Sequence, residues 1–466
     1  MQPVHDVATI RQAEADLMAQ LPDGALMQRA SSGLATVAAG LILDTFGRLP
    51  GVRLAVVAGS GNNGGDALYA AALLARRGVA VDIVATSDTL HPGGLQAALA
   101  AGGQVREPRR ADVVFDAVVG IGGTGPLRDD AAAIRDIVDA ELTIAVDLPS
   151  GVQPDTGDTP GEVWVADHTV TFGTLKPAVV LRLDVCGQVH LVDIGLSATL
   201  PAARAHVVER ADAATYFPLP GMRDNKYTRG VVSVAAGSTI YPGAGQLCTA
   251  GARHSGAGMV RSPVAGFPDV VAAEGRTDAY VVGPGLADEQ RLAEATGKAL
   301  ESGRPAVFDA EALDKARPGP LVITPHEGEF ARLGFTIGTD RIAAVRKAAA
   351  DLGVAVLLKG AVTVVAAPGG DVFINTHSSP NLATAGSGDV LSGLMGGMLA
   401  RHYVGRDADH VGMAKLAACA ALVHGQAGIL ATFPATSTDI ADCVRDAVAW
   451  AARAPDPGDF TLTIEP

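Results

Sequence analysis

The run Gly386-Ser387-Gly388-Asp389 opens an apolar helical pattern, VLSGLMGGMLA, directly after the extended segment PNLATA. Small residues at a helix start let backbone N–H groups close on an anion, and the helix dipole favours negative charge there. Asp389 sits in the middle of that positive spot. A carboxylate in a place shaped for phosphate either caps the helix or acts on the group to which the phosphate goes. Taken alone the tetrapeptide favours the cap, and the other chemistry-bearing segments reverse that balance. In NKYTRGVV, Lys226 and Arg229 precede a strand, and YPGAG (241–245) is a loop able to lie against a planar group. ITPHEGEFARL places His326, Glu327 and Glu329 at a strand-to-helix turn, and LLKGAVTVV ends a strand with Lys359 and Gly360. Singly, His326 reads as a helix cap or buried histidine and Lys359 as a solvated surface lysine; together with an anion-binding helix start they read as four segments around one ligand.

A second constellation lies in the first half of the chain. After the strand pattern 53–59 comes SGNNGGDALYAA, where Asn62 and Asn63 tolerate left-handed backbone, Gly64 and Gly65 permit close approach of a ligand, and Asp66 can begin a helix. A glycine-rich turn between a first strand and a first helix is a phosphate-binding design. It is not the GxGxxG fingerprint, and no acidic residue ends the second strand, so hydride transfer is disfavoured. Asp116 lies inside the apolar strand FDAVVG ahead of the turn GIGGTGP (120–126), and Asp147 ends IAVD before LPSG, with Ser150 on the turn. Carboxyl-terminal strand ends of an open parallel sheet converge on one crevice, so Asn63, Asp116, Asp147 and Ser150 could face one ligand. Each alone reads as a turn or cap residue, Ser150 and Asp66 most readily.

The elements that must position these groups follow from the apolar patterning. Strands are expected at 53–59, 79–85, 112–119, 142–148, 168–173 and 189–195, with helices between them in DALYAAALLARRG, QAALAAG and DDAAAIRDIVDAE. This alternation reads as an α/β, Rossmann-like doubly wound sheet. The pattern breaks over 197–229, which sets a domain boundary near residue 212. Strands resume at 230–237, 278–283, 305–310, 320–325, 354–360, 362–367 and 371–375, followed by helices in HVGMAKLAACAALVHGQAGILA and IADCVRDAVAWAAR. The halves 1–212 and 213–466 are two different α/β domains, not copies.

Composition agrees. A chain of 466 residues exceeds one hydrophobic core, and 48% hydrophobic residues with 56 glycines and 4% aromatics suit cores built from Ala, Val and Leu. A net charge of −14 argues against nucleic acid or an anionic membrane as the main partner. Cys186, Cys248, Cys419 and Cys443 lack metal or redox spacing and are expected to be reduced residues of a cytoplasmic protein. The N-terminus lacks a signal-like apolar core, and GLATVAAGLIL (33–43) is too short to span a bilayer and suits a buried helix.

GNNGGD, the Asp116 strand with its glycine turn, and VDLPSG together resemble the NAD(P)H-hydrate epimerase family, the YjeF N-terminal domain, over roughly residues 1 to 212. The resemblance implies that Asn62, Asn63, Gly64, Gly65, Asp66, the loop Gly120, Ile121, Gly122, Gly123, Thr124, Gly125, Pro126, and Asp147 hold the hydrated nicotinamide dinucleotide. It implies a potassium ion on Asn63, Asp116 and Ser150, an all-oxygen set suited to a hard cation. Asp147 would then do acid–base work at carbon 6 of the ring. Ala67 departs from the family, where glycine is usual, as does the longer 120–126 turn.

KYTRG, YPGA, GPGL (283–286), TPHEGEF, KGAVT (359–363) and AGSGDVLSG fall in order over 213–466 and resemble the ADP-dependent NAD(P)H-hydrate dehydratase family, which is ribokinase-like. By this resemblance Ala244, Gly285, His326 and Asp389 contact the hydrated dinucleotide, and Lys359, Gly360, Ala361, Val362, Thr363 and Gly388 contact the adenine nucleotide. Asn225 stands where histidine is usual and Ser387 where threonine is common. Asp389 would take the proton from the ring hydroxyl as it attacks the terminal phosphoryl group of ADP, with magnesium and the helix start stabilising the charge. The expected enzyme is an isomerase joined to a lyase. It epimerises R and S forms of NADHX and NADPHX and dehydrates the S form, giving AMP and phosphate, as a cytoplasmic homo-oligomer such as a tetramer. The alternative is a vitamin or sugar kinase whose first domain is a ligand-binding or scaffold module.

Overall fold

The computed structural model describes residues 1–453, which fall into two compact units. Pro3–Ala203 forms the first; the second starts at Arg204 and includes Met1–Gln2. This corrects the boundary expected at 212. A short strand at 205–207 that the sequence pattern did not reveal is hydrogen-bonded to the Val372–Asn375 strand, so the segment before 212 belongs to the second core.

A short strand, β1 (Gln2–Val4), opens the chain. The first unit is built on β2 (Arg53–Ala58), β3 (Ala80–Ala85), β4 (Gln104–Val105), β5 (Val113–Ala117), β6 (Leu142–Val146), β7 (His168–Phe172) and β8 (Gln188–Val192). All neighbouring pairs are parallel, in the order β4-β3-β2-β5-β6-β7-β8. Alternate residues of β2 serve opposite layers, as the period of a strand requires. Leu54, Val56 and Ala58 pack in one core with Leu34, Ala38 and Ile42, while Ala55 and Val57 pack in the other with Ala131 and Val138. The helix expected within 33–43 runs further, over Ala25–Phe46, bounded by left-handed Gly24 and Gly47. Its length and composition would suffice for a bilayer, as would those of His410–Leu430, yet the latter lies mostly inside the second core. The chain turns back between β2 and β5, so the loops after these strands flank the switch point at which open sheets bind ligands.

The second unit contains β9 (Ala205–Val207), β10 (Val231–Ala235), β11 (Met259–Arg261), β12 (Ala279–Val282), β13 (Ala306–Phe308), β14 (Leu321–Ile323), β15 (Ala355–Leu358), β16 (Thr363–Ala366) and β17 (Val372–Asn375). Their order is β9-β17-β16-β15-β14-β13-β12-β10-β11. The pairs from β11 to β15 are parallel, β16 is antiparallel to both neighbours, and β9 runs parallel to β17. Helix Ser387–His402 lies against this sheet with helix Pro242–Arg253 beside it. Both approaches need glycine: a Cβ at Gly393 would collide with the Cys248 carbonyl oxygen, and one at Gly396 with the Val281 side chain. The GSGD helix start is therefore set by packing along its whole length.

Candidate active sites

In the first unit a cavity of about 970 Å³ opens over the switch point, lined by Asn62, Asn63, Asp66, the whole loop Gly120–Pro126, Asp147 and Ser150. Gly64 and Gly65 are buried and stand behind this wall. Gly120 stands against two polar groups of the site, since a Cβ there would lie 3.0 Å from both Asn63 Oδ1 and Asp147 Oδ2. Asp147 directly follows β6 with φ of +68°. Left-handed backbone at a non-glycine residue costs on the order of 1–3 kcal/mol and persists where the surroundings over-determine it. Here the surroundings are a buried lysine: Lys176 Nζ donates to Asp147 Oδ1 at 2.7 Å, to Thr171 Oγ1 at 2.8 Å and to the Phe172 carbonyl at 2.9 Å. Thr171 Oγ1 also donates to Asp147 Oδ1 at 3.1 Å, and the Ile121 amide to Oδ2 at 3.3 Å.

Asp116 is fully buried and lies outside the cavity wall. Ser150 donates to it twice, from Oγ at 2.6 Å and from its amide at 2.7 Å. Burial pushes the Asp116 carboxyl up to about 6 against these hydrogen bonds. Asn63 Nδ2 and Asp66 Oδ1 are shut from solvent without partners. Asp66 is raised well above the usual carboxylate range by burial first, then by the charges of Asp147 and Glu14.

The second unit holds a cavity of about 890 Å³ whose wall includes His326, Lys359, Gly360, Ala361, Thr363, Gly388 and Asp389. Gly386 caps helix Ser387–His402 with φ of +92°, which places Asp389 in the first turn rather than at the cap. Burial, followed by the charge of Asp309, raises Asp389 to about 7; Lys359 works the other way, and Glu311 and Glu329 add smaller upward pushes. Lys359 is not a surface lysine. Its Nζ lies 2.9 Å from Asp309 Oδ1 and 3.6 Å from Glu329 Oε2, while Ser392 Oγ donates to Asp309 Oδ2 at 2.7 Å. A Cβ on Gly388 would lie 3.4 Å from Lys359 Nζ, so the ammonium stands beside the helix start. His326 does cap a helix: its Nδ1 accepts from the Glu329 amide at 3.2 Å, and its own amide donates to Glu329 Oε2 at 2.8 Å. It faces the cavity as well.

The four segments do not all meet here. Ala244 and Gly285 pack on each other, a Cβ at Gly285 falling 2.6 Å from Ala244 Cβ, but neither lines this cavity. Lys226 Nζ rests 5.2 Å from the centre of the Tyr227 ring, and Arg229 donates to the Gly256 carbonyl at 2.9 Å. Val362 is buried outside the wall. Three groups escaped the sequence reading. Asp309 directly follows β13 as Asp147 follows β6, so the strand-end argument could have found it. Lys176 precedes a proline and His424 lies inside an apolar helix, and neither context signals a site. His424 lines the second cavity with Nε2 unpartnered, and burial lowers it to about 4.

A switch-point cavity with an ion-paired carboxylate, and a second with a carboxylate and a lysine at a helix start, are two separate sites of an α/β enzyme. A family model described as YjeF-related protein N-terminus matches residues 23–178, and one described as NAD(P)H-hydrate dehydratase matches residues 232–446. The chain is 47% identical over 427 residues to the bifunctional NAD(P)H-hydrate repair enzyme Nnr of Mycobacterium leprae, covering 86% of this chain and 89% of that one. It is 34% identical to the Synechocystis protein of the same name, covering 88% and 87%. A crystal structure of the ADP/ATP-dependent NAD(P)H-hydrate dehydratase from Bacillus subtilis, co-crystallized with ATP/Mg2+, aligns at 26% identity and a TM-score of 0.46, covering 52% of this chain and 97% of that one. The chain belongs to the family of bifunctional NAD(P)H-hydrate repair enzymes.

Proposed function

We propose that this chain repairs hydrated nicotinamide cofactors at two sites, interconverting the R and S hydrates of NADH and NADPH in the first unit and dehydrating the S form in the second with ADP. The placement of Asp389 carries the reading: a carboxylate raised to about 7 in the first turn of a helix, facing a cavity beside Lys359, is poised to take a proton near neutral pH. It deprotonates the ring hydroxyl as that oxygen attacks the terminal phosphoryl group. Amides around Gly386–Gly388 and the Lys359 ammonium hold the phosphoryl oxygens. The phosphate then leaves carbon 6 with the C–O electron pair as the N1 lone pair forms the C6=N1 bond, and loss of a proton from carbon 5 to solvent returns that pair to N1 and restores the C5=C6 bond of the dihydronicotinamide. Asp309, Glu329 and Asp389 outnumber the single ammonium at this end, a surplus of carboxylates that fits magnesium arriving on the nucleotide. Such an ion would neutralise phosphate charge.

In the first unit, Asp147 held by Lys176 is the acid–base group for inversion at carbon 6. Asp116, buried with neutral hydrogen-bond partners and raised to about 6, fits a monovalent cation shared with Ser150 and Asn63. Potassium there would offset the buried charge. Four unpaired cysteines support a reducing, cytoplasmic setting, and exposed Leu219, Met222 and Ile240 support a homo-oligomer that covers them. The experiment is incubation of purified protein with mixed R and S NADHX plus ADP in potassium and magnesium buffer. Return of the NADH absorbance with equimolar phosphate is expected. A stable phosphorylated product would mark a kinase instead.

A further inference from the structure

Four carboxyl groups line the first cavity, those of Glu14, Asp23, Asp66 and Asp147. One ammonium there is buried, and it is committed: Lys176 Nζ sits 2.7 Å from Asp147 Oδ1. Of the other charged groups at the wall, exposed Arg11 donates to the Ile121 carbonyl at 3.4 Å and Arg128 to the Thr86 carbonyl at 3.3 Å. The His91 ring packs against Gly65, with Nδ1 accepting from the Gly94 amide at 3.1 Å. Asp66 thus has no cation of its own, and its Oδ1 is shut from solvent with no hydrogen-bond partner. Burial and the nearby charges of Asp147 and Glu14 favour its protonated form. Two carboxyls in one cavity, one ion-paired and the other without a counter-ion, are the arrangement that separates a base from an acid.

We propose that Asp66 is the acid that works opposite Asp147: it delivers a proton to the departing hydroxyl at carbon 6 of the hydrated ring, and Asp147 takes one from the water that returns on the other face. The proposal rests on the epimerase reading and deepens it. The proton of Asp66 binds the hydroxyl oxygen, the C6–O bond breaks with its electron pair leaving in water, and the N1 lone pair forms the C6=N1 bond of an iminium cation. Water then adds to the opposite face, the C=N pair returns to N1, and the extra proton passes to Asp147. No oxidant or further reactant enters. The reverse direction starts with the proton on Asp147 and Asp66 as the base, and exchange with solvent resets the pair.

The test is epimerisation of R-enriched NADHX in ¹⁸O-labelled water by wild type, Asp66→Asn and Asp66→Glu, with ADP-dependent dehydration of S-NADHX by the same preparations as the control for folding. Wild type should label the inverted product, and its rate should fall at alkaline pH as Asp66 loses its proton. Asp66→Asn should lose roughly 100-fold or more in kcat with KM changed by less than about threefold, and should lose the alkaline decline. Asp66→Glu should regain part of the rate. An Asp66→Asn effect confined to KM, an unaltered pH profile, or unlabelled product from wild type would overturn the proposal. Wild type that does not interconvert the hydrates at all would instead remove the epimerase reading.

Discussion

The two cavities hold the carboxylates proposed to do the chemistry in opposite ways. Asp147 is clamped by a buried ammonium at 2.7 Å, and its strained φ of +68° fixes where the second oxygen points. Asp389 has its nearest cation shared, because Lys359 lies 2.9 Å from Asp309, and burial, followed by the charge of Asp309, pushes its proton affinity up to about 7. One site specifies geometry; the other specifies basicity. An inversion that must work from two faces needs fixed direction, whereas removal of a hydroxyl proton during phosphoryl transfer needs a base poised near neutral pH.

The largest effects should come from removing each carboxylate. Asp389→Asn should cut dehydration by on the order of 10³-fold or more while leaving epimerisation within about twofold, and Asp147→Ala should do the converse. Separate assays on pure S and R substrates read both. Next comes the clamp. Lys176→Met strands Asp147 without its cation and should slow epimerisation about 100-fold and destabilise the first unit by roughly 3–5 kcal/mol, seen as a lower melting temperature. If the first site needed only a negative charge and no direction, Lys176→Met would retain near-normal kcat.

Which parts of this contrast were legible follows from the signals involved. The parallel strands announce themselves because burial on both faces makes them continuous β-branched runs, and one acid in or after such a run, as at Asp116 or Asp147, stands out. Asp309 carries the same signature and was overlooked. The short strands β1, β4, β9 and β11 span two or three residues each and stand outside the longer apolar runs that flag β13 and β14, and β9 alone moved the domain boundary by several residues. The Ala25–Phe46 helix outruns its apolar centre because its flanking turns are polar on an exposed face. Lys176 and His424 were invisible for a different reason: their roles come from tertiary burial, and nothing in TLKPAVV or AALVHGQAG reports what the fold sets opposite them. The segments KYTRG and YPGAG are legible as motifs, yet they lie outside the wall of the Asp389 cavity.

Smaller effects sharpen the comparison through pH. Because Asp389 must be ionised to accept a proton, dehydration should rise with pH through about 7 and then level. Asp309→Asn removes the largest neighbouring charge, so the rising limb should move to lower pH. An unshifted limb would assign it to another group. The smallest effect concerns Asp116. Its folded value of about 6 exceeds the usual aspartate value of 3.8, so the folded state holds the proton more tightly and this contribution to stability is lost as pH rises from about 4 through 6. The shift corresponds to a few kcal/mol at most, about 1.4 kcal/mol per unit. Asp116→Asn should flatten that slope, and potassium should raise the melting temperature of wild type but not of this variant.

Division of labour between the two units is tested most directly by complementation. Asp147→Ala and Asp389→Asn proteins, each alone with R-enriched NADHX and ADP, should leave most of the substrate unrepaired, and an equimolar mixture should return the NADH absorbance close to the wild-type yield. A mixture that recovers no more than the better of the two variants, or a single variant that loses both activities, would contradict the account.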